Sequence, residues 1–320
     1  MIPRRALPAL LLPVTAAAQE PAFPARPVTL LVGFAPGGGT DILARLLAAR
    51  LAEEFGQPVA VENRTGGGGT IAALATARAR PDGHAATLGT VSNMVQVPLA
   101  MRTPPFDPAR DVTPIALVAA VPMVVTVPAA SPARNLAGLI ALAKAQPGRL
   151  NFASNGVGTS QHLAAELFMQ ATGVRMVHVP YRGSGQVVMD LAQGVVDVNF
   201  DTLSSVLPGI RQGLLRGLAV TTARRAAALP ELPTVMESGV LGYDLDVWYM
   251  LYGPAGLAEP ALRRWSAAAM RVLADPALQA RLRESGFQPA GGTPDEAASL
   301  VRAEIARYGE AIRRAGIELD

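Results

Sequence analysis

Cysteine is absent from the 320-residue sequence, and its absence excludes several kinds of chemistry. A chain without thiols forms no disulfide, has no cysteine nucleophile and offers no cysteine ligand to a metal ion. It also lacks the residue through which bacterial lipoproteins are attached to lipid. The mature protein is therefore expected to be soluble and free of a lipid anchor.

Lysine and aromatic residues are scarce: Lys144 is the only lysine, and aromatic residues make up 5% of the chain. Arg4 and Arg5 lie in a segment that we expect to be removed, and all 25 acidic residues lie beyond it. That leaves 26 of the 28 basic residues against 25 acidic ones, a net charge of +1. No arginine cluster with interleaved aromatic residues is present, so nucleic-acid binding is not expected.

Hydrophobic runs long enough to cross a membrane are also missing. The apolar run near the N-terminus covers only Ala6–Val14, which is too short to cross a bilayer. It follows two arginines and precedes the small residues 16–18, a pattern typical of a secretory signal. We therefore predict a signal peptide over residues 1–18 and a periplasmic mature protein; a membrane anchor or a disordered tail is the alternative.

Half of the residues are hydrophobic, which is enough for a sizeable core, and the length suggests about two domains. The first structural unit has a β-rich run at Val28–Val32, followed by apolar residues at three- and four-residue spacing between Ile42 and Phe55. Similar pairs of strand-like and helix-like segments recur along the chain. This alternation predicts parallel β-α-β units and an α/β fold with doubly wound sheets.

Two segments predict crossings between lobes. The long apolar run Val118–Val127 is the first, and the proline-punctuated stretch Leu229–Gly239 is the second. We therefore expect a discontinuous lobe 1, formed by residues 26–120 and 232–320, and a lobe 2 formed by residues 121–231. The cleft between two such lobes is a preferred place for a ligand, and the lobes are expected to close on it.

Two strand–loop–helix segments have glycine-rich loops, at Phe34–Asp41 and at Ser154–His162. The free backbone N–H groups at a helix start attract anions, so two facing starts would form a clamp for a small carboxylate. A tight turn that needs glycine is the alternative, and it is favoured for Gly66–Gly69. No lysine is near either loop and Ile42 stands where a dinucleotide fingerprint needs glycine, so phosphate-binding motifs are excluded.

Catalytic and metal-binding patterns are not found. The stretch Gly183–Gly185 lacks the spacing of a nucleophile elbow, and the three histidines do not form a metal-ligand pattern. We interpret the acidic pairs and the His–Glu pair as solvated or supporting groups rather than acid–base catalysts: Asp197 with Asp201, Asp244 with Asp246, and His162 with Glu166. We predict a binding protein without catalytic residues, cofactor or metal; a secreted enzyme acting on a small organic acid is the alternative.

A series of segments from about Phe23 to the C-terminus resembles the substrate-binding proteins of tripartite tricarboxylate transporters, the Bug-type receptors. The matching stretches include RPVTLLVGFAPGGGTDILAR, GQPVAVENRTGGGGT, LNFASNGVGTSQHLAAELF and HVPYRGSG. The resemblance implies two lobes of the periplasmic-binding-protein type (type II-like), a small carboxylate ligand, membrane transporter subunits as partners, and a monomer. A receptor that presents its ligand to a sensor kinase would have the same cleft.

The resemblance also implies ligand-binding residues in both lobes. In lobe 1 they are Phe34, Ala35, Pro36, Gly37, Gly38, Gly39, Asp41, Thr90 and Ser92. In lobe 2 they are Ser154, Asn155, Gly156, Gly158, Thr159, His162, Tyr181, Gly183 and Asp201. Asp41 also fits a structural role at the helix start, and the charge of Asp201 suits an amino or hydroxyl group better than a second carboxylate.

Two places depart from the family pattern. His84 stands where a tyrosine is usual, and Trp248-Tyr249-Met250 stands where the family usually has Trp, any residue and Gly. We expect these bulky side chains to shrink or reshape the cleft.

Overall fold

The structure, a computed structural model, describes residues 23–319. The expected signal peptide at residues 1–18 lies outside this range. Within it, no helix combines the length and the apolar character that a bilayer crossing requires.

The first series of elements alternates as the sequence predicts. It comprises β1 (Val28–Val32), α1 (Gly39–Phe55), β2 (Val59–Asn63), α2 (Thr70–Ala77), β3 (Ala85–Thr90), a π-helical turn (Ser92–Gln96) and α3 (Val97–Ala100). Helix α1 buries Leu43, Leu47 and Leu51 against the sheet. It ends at Gly56, whose φ of 65° is the left-handed conformation that glycine adopts without strain.

The second series follows the long strand β4 (Val112–Pro128). It comprises α4 (Leu136–Ala145), β5 (Asn151–Ser154), α5 (Ser160–Thr172), β6 (Val177–Pro180), α6 (Ser184–Ala192), β7 (Val198–Thr202), α7 (Leu203–Arg211) and β8 (Leu215–Val220). The chain then returns through β9 (Asp246–Pro254), α8 (Glu259–Ala274), α9 (Pro276–Glu284), β10 (Gln288–Pro289) and α10 (Pro294–Ala315).

The strands form two sheets that share β4. In lobe 1 the order is β2-β1-β3-β9-β4-β10, and β1, β2 and β3 are parallel while β9 is antiparallel to both of its neighbours. In lobe 2 the order is β6-β5-β7-β4-β8, and β5 is parallel to β6 and β7. This confirms the predicted α/β class with two doubly wound lobes.

Strand β4 joins the lobes because its two halves have different partners. Residues Val112–Pro122 pair with β9, and Met123–Pro128 pair with β7 and β8. Val118, Val121, Val124 and Val125 are fully buried, and burial of each such side chain contributes about 1.5–3 kcal/mol. The joint between the lobes is therefore part of the core.

The chain was expected to cross back to lobe 1 at Leu229–Gly239, but in the structure it crosses later. In that stretch Thr234 forms a parallel bridge with Val220 of β8, so the segment lies along lobe 2. The strand that returns along β4 is β9, which begins at Asp246. Proline punctuation marked a turn-rich segment correctly, but the pairing partner of that segment depends on tertiary contacts. The lobe boundaries themselves stay predictions.

Candidate functional site

The strand order places one crevice in each lobe. In lobe 1, β1 lies between β2, which follows it in the chain, and β3. In lobe 2, β5 lies in the same way between β6, which follows it, and β7. Ligands of open α/β sheets bind at such switch points, beyond the carboxyl ends of the strands. Both glycine-rich loops follow these central strands, so each begins at a switch point.

The two crevices meet in one cavity. Its volume, including the part that is open to solvent, is about 330 Å³. Both lobes contribute lining residues: eight come from lobe 1, which are Phe34, Gly38, Gly39, Thr40, Thr90, Ser92, Val247 and Tyr249, and four from lobe 2, which are Asn155, Gln161, Ser184 and Thr202. This lining contains no lysine, arginine or histidine. A charged ligand in the cavity would therefore be stabilised by dipoles and hydrogen bonds rather than by an opposite charge.

The start of α1 forms the lobe 1 wall, and Asp41 holds its loop in place. The Asp41 carboxylate accepts hydrogen bonds from Gly37 N–H (3.1 Å), Asn63 Nδ2 (3.0 Å) and Arg45 Nη2 (2.9 Å). Burial by itself would raise the pKa of Asp41, but the hydrogen bonds from Arg45, Gly37 and Asn63 lower it below its usual value. All of these partners of Asp41 belong to lobe 1. This bonding agrees with a structural role at the helix start.

The first N–H group of each facing helix is bonded to a serine from the opposite lobe. Gly39 N–H of α1 donates to Ser205 Oγ at 2.9 Å, and Ser160 N–H of α5 donates to Ser92 Oγ at 2.8 Å. The Ser160 hydroxyl donates in turn to Gln96 Oε1 at 2.7 Å. The two helix starts thus meet at the cavity, and the second residues of α1 and α5, Thr40 and Gln161, lie in its lining.

The rims of the lobes are in backbone contact. Ala35 N–H donates to the Arg182 carbonyl across the gap at 3.2 Å. A Cβ atom added to Gly183 would lie 2.8 Å from Ala35 N, and one added to Gly185 would lie 2.7 Å from the Pro36 carbonyl oxygen. Side chains at these two positions would separate the rims, so glycine allows the closed arrangement that the structure shows.

A buried carboxylate organises the lobe 2 wall. Asp201 is fully buried at the end of β7 and accepts hydrogen bonds from Ser184 Oγ (2.9 Å), Thr202 N–H (2.7 Å) and Gln161 Nε2 (3.3 Å). Asn155 Nδ2 donates to Ser184 Oγ at 3.0 Å. Three lining residues are therefore oriented by a carboxylate that lies behind them.

Strand β9 supplies Val247 and Tyr249, which were not among the expected ligand-binding residues, although Tyr249 was expected to reshape the cleft. Because strand side chains alternate between faces, Trp248 and Met250 point away from the cavity; Trp248 Nε1 donates to Glu304 at 3.0 Å. Burial raises the pKa of Tyr249, so its hydroxyl stays protonated. Tyr249 therefore narrows the cavity, whereas the departure from the family pattern at Met250 lies in the core.

Six of the eighteen expected site residues line the cavity: Phe34, Gly38, Gly39, Thr90, Ser92 and Asn155. Six lining residues were missed: Thr40, Gln161, Ser184, Thr202, Val247 and Tyr249. Thr40, Gln161 and Ser184 lie in the first turns of helices, so extending the glycine-loop argument by one turn would have found them. Their roles in ligand binding stay predictions.

Other expected residues hold the second loop together. The Thr159 hydroxyl donates to the Gly156 carbonyl at 2.7 Å, and Gly158 N–H donates to His162 Nδ1 at 3.1 Å. Tyr181 is bonded to Asp190 at 2.9 Å, outside the cavity lining. The proton of the Thr159 hydroxyl is therefore donated within its own loop.

A histidine pair lies behind the second loop. The rings of His162 and His178 stack with centroids 4.1 Å apart, and His178 also stacks on Phe152. Burial, together with the neighbouring His162, lowers the pKa of His178 to about 4. Among residues 23–319, no group of three or more His, Cys, Asp or Glu side chains is placed to hold a metal ion.

Similarity to known proteins covers almost the whole chain. Residues 43–317 match the family described as tripartite tricarboxylate transporter family receptor. Protein BugT of Bordetella pertussis is 34% identical over 298 residues, which cover 93% of this chain and 91% of BugT.

Two solved structures share the fold. An R. palustris protein solved with adipate has a TM-score of 0.90 at 39% identity, covering 92% of this chain and 99% of that one. MatC from Rhodopseudomonas palustris, solved with bound malate, has a TM-score of 0.86 at 31% identity, covering 91% and 100%. The chain therefore belongs to the tripartite tricarboxylate transporter receptor family.

Proposed function

We propose that the protein is an extracytoplasmic solute-binding protein that captures a small carboxylate between its lobes and delivers it to a tripartite tricarboxylate-type transporter. The observation that carries this proposal is the shared cavity at the starts of α1 and α5, which come from opposite lobes. The adipate and malate in two related structures support a carboxylate as the ligand. Secretion through the signal peptide over residues 1–18 would place the protein in the periplasm.

The energetics require both lobes. Micromolar affinity corresponds to about −8.2 kcal/mol, and a helix start contributes at most about 2 kcal/mol to a bound anion. Hydrogen bonds to a charged group add roughly 1.5–3 kcal/mol each. Several hydrogen bonds from both walls must therefore act together, so affinity should depend on closure of the lobes.

A thermal-shift screen of small mono-, di- and tricarboxylates, followed by calorimetry, tests the proposal. A ligand present at 100 times its dissociation constant stabilises the folded state by about 2.7 kcal/mol. Solution scattering should then show a smaller radius of gyration with ligand than without it. The proposal fails if no carboxylate shifts the unfolding temperature, or if the protein chemically converts the bound acid.

A charge placed inside the cavity should abolish binding. In Gly38→Asp the new side chain starts 3.5 Å from Ser184 Cβ, and its carboxylate repels an anion at the start of α1. Gly309→Asp on α10 is the matched control, because its nearest neighbour is the mobile end of Arg313 at 3.6 Å. Calorimetry should show no binding to the first variant and wild-type affinity for the second; equal affinities would contradict the site.

Uptake measurements test the transporter partnership separately. Cells that lack this protein should take up the identified carboxylate slowly, and uptake should be restored by the wild-type chain but not by Gly38→Asp. Unchanged uptake in the deletion strain would contradict the partnership without affecting the binding site.

A further inference from the structure

Gln161 has a buried polar atom that the protein leaves without a partner. It is the second residue of α5, it lines the cavity, and it is only 5% exposed. Its Nε2 donates to Asp201, while its carbonyl Oε1 has no hydrogen-bond partner among the described residues. A buried acceptor without a donor costs about 1–3 kcal/mol, so this atom calls for a donor from the cavity.

Asp201 determines which end of the Gln161 amide is left without a partner. A carboxylate only accepts hydrogen bonds, so the amide must direct its NH₂ group toward Asp201 and leave its oxygen free. The reverse orientation would place two acceptors 3.3 Å apart. The free polar atom of Gln161 is therefore an acceptor by physical necessity.

Two other donors on this wall are also turned toward Asp201. Ser184 Oγ donates its proton there at 2.9 Å, and Thr202 N–H does so at 2.7 Å. The cavity lining has no cationic side chain that could balance a second ligand carboxylate on this side. Lobe 2 therefore favours a group that donates hydrogen bonds over one that only accepts them.

We propose that Gln161, oriented by Asp201, selects carboxylates that also have a hydrogen-bond donor, such as a hydroxyl, ammonium or amide N–H group. The carboxylate faces the start of α1 in lobe 1, and the donor meets Gln161 Oε1 in lobe 2. This assignment rests on the proposed function and narrows its ligand class. Asp201 acts as a positioning residue, because its effect on the ligand passes through Gln161 and Ser184.

Matched ligand pairs that differ by one donor test the assignment. Suitable pairs are butanoate with 3-hydroxybutanoate, propanoate with 2-hydroxypropanoate and with alanine, and succinate with malate. Calorimetry at constant pH should show, for each pair in which at least one acid binds, that the donor-bearing acid binds at least about tenfold tighter. This ratio corresponds to about 1.4 kcal/mol of binding free energy. Equal or reversed affinities would overturn the assignment.

Variants identify the residue responsible. Gln161→Met keeps the side-chain length and removes the acceptor, so the affinity ratio within a pair should fall to below about twofold while the donor-free acid keeps its affinity. Asp201→Asn should reduce the ratio as well, since an asparagine no longer forces one amide orientation. A purely structural role would weaken both members of a pair equally, and that result would overturn the assignment.

Gln170→Met is the matched control, because Gln170 lies on the same helix but is exposed and bonded to the Arg314 carbonyl. Its affinity ratio should equal that of the wild type. Thermal unfolding of each variant reports folding independently of binding. If no acid of any pair binds, the proposed function falls together with this assignment, whereas equally tight binding of donor-free acids overturns the assignment alone.

Discussion

The two lobes use the same strand order and a similar loop, but they treat their buried carboxylates in opposite ways. In lobe 1, Asp41 is paired with Arg45 and bonded to its own loop, so its charge is neutralised outside the cavity. In lobe 2, Asp201 is fully buried and bonded only to neutral donors, three of which belong to lining residues. Similar topology therefore produces one wall suited to an anion and another suited to a hydrogen-bond donor.

The largest expected effect comes from preventing the walls from meeting. Gly183→Ala places a Cβ atom 2.8 Å from Ala35 N, so the rims cannot close as they do here. Affinity for the carboxylate should fall roughly 100-fold or more, equivalent to about 2.7 kcal/mol, because both walls are needed for binding. Calorimetry measures the loss, and solution scattering should show that ligand no longer compacts the protein.

The control for this variant is Gly309→Ala on α10. Its Cβ has only the end of Arg313 nearby, at 3.6 Å, and alanine in a helix is about 0.5–1 kcal/mol more favourable than glycine. We expect unchanged affinity and slightly higher thermal stability. Wild-type binding by Gly183→Ala would show that the rim contact is not part of the ligand-bound state.

The serine contacts between lobes should have an intermediate effect. Ser205→Ala and Ser92→Ala each remove the acceptor of a helix-start N–H group in the closed state. Each loss should weaken ligand binding about fivefold, or about 1 kcal/mol, and the double variant should show roughly the product of the two effects. Titration calorimetry on the two single variants and the double variant tests this.

Ser238→Ala is the control for the serine variants, because that hydroxyl donates to Thr234 within the same turn. It should bind like the wild type. Tighter binding by Ser205→Ala would reverse the interpretation, since it would mean that the freed Gly39 N–H group serves the ligand better than the serine does.

The smallest expected effect is a difference in acid sensitivity between the lobes. The pKa of His178 in lobe 2 is lowered from 6.5 to about 4, so between these values the unfolded chain binds a proton that the folded protein does not. The free energy of unfolding should therefore be highest above about pH 6.5 and fall by roughly 1 kcal/mol toward pH 4, with the shift discounted for the partial exposure of the ring.

Asp41 in lobe 1 should respond only in stronger acid. The pKa of Asp41 is lowered in the folded state, so its stabilising effect is present above its ordinary pKa and is lost as pH falls below that value. Urea unfolding at a series of pH values, with His178→Gln beside the wild type, separates the two contributions. An identical slope between pH 4 and 6.5 in both proteins would contradict the role of His178.

Much of the fold was predictable because local patterns determine it. The strand at Val28–Val32 has the predicted bounds, since its β-rich character extends over its whole length. Helix α5 begins at Ser160, three residues before its apolar periodicity starts at Leu163. Its polar first turn has no periodic signal, and the same turn contains Gln161, which was missed in the site.

The remaining part of the site depends on distant pairing. Tyr249 reaches the cavity because β9 lies antiparallel between β3 and β4, a position that no local pattern indicates. Gly39 and Ser205 are 166 positions apart in sequence, yet one hydrogen bond joins them. Sequence reasoning placed the facing loops correctly but had no means to identify these partners.

By itself, the sequence determined where the backbone turns and which stretches form helices or strands, because glycine freedom and apolar periodicity act over a few neighbouring residues. It also determined the family, through motifs spread along the whole chain. Only the tertiary structure decided that Asp41 is neutralised within its own lobe while Asp201 orients Gln161 toward the cavity. The reason is physical: hydrogen-bond polarity and charge balance at the cavity depend on which side chains the two lobes bring within about 3 Å of each other.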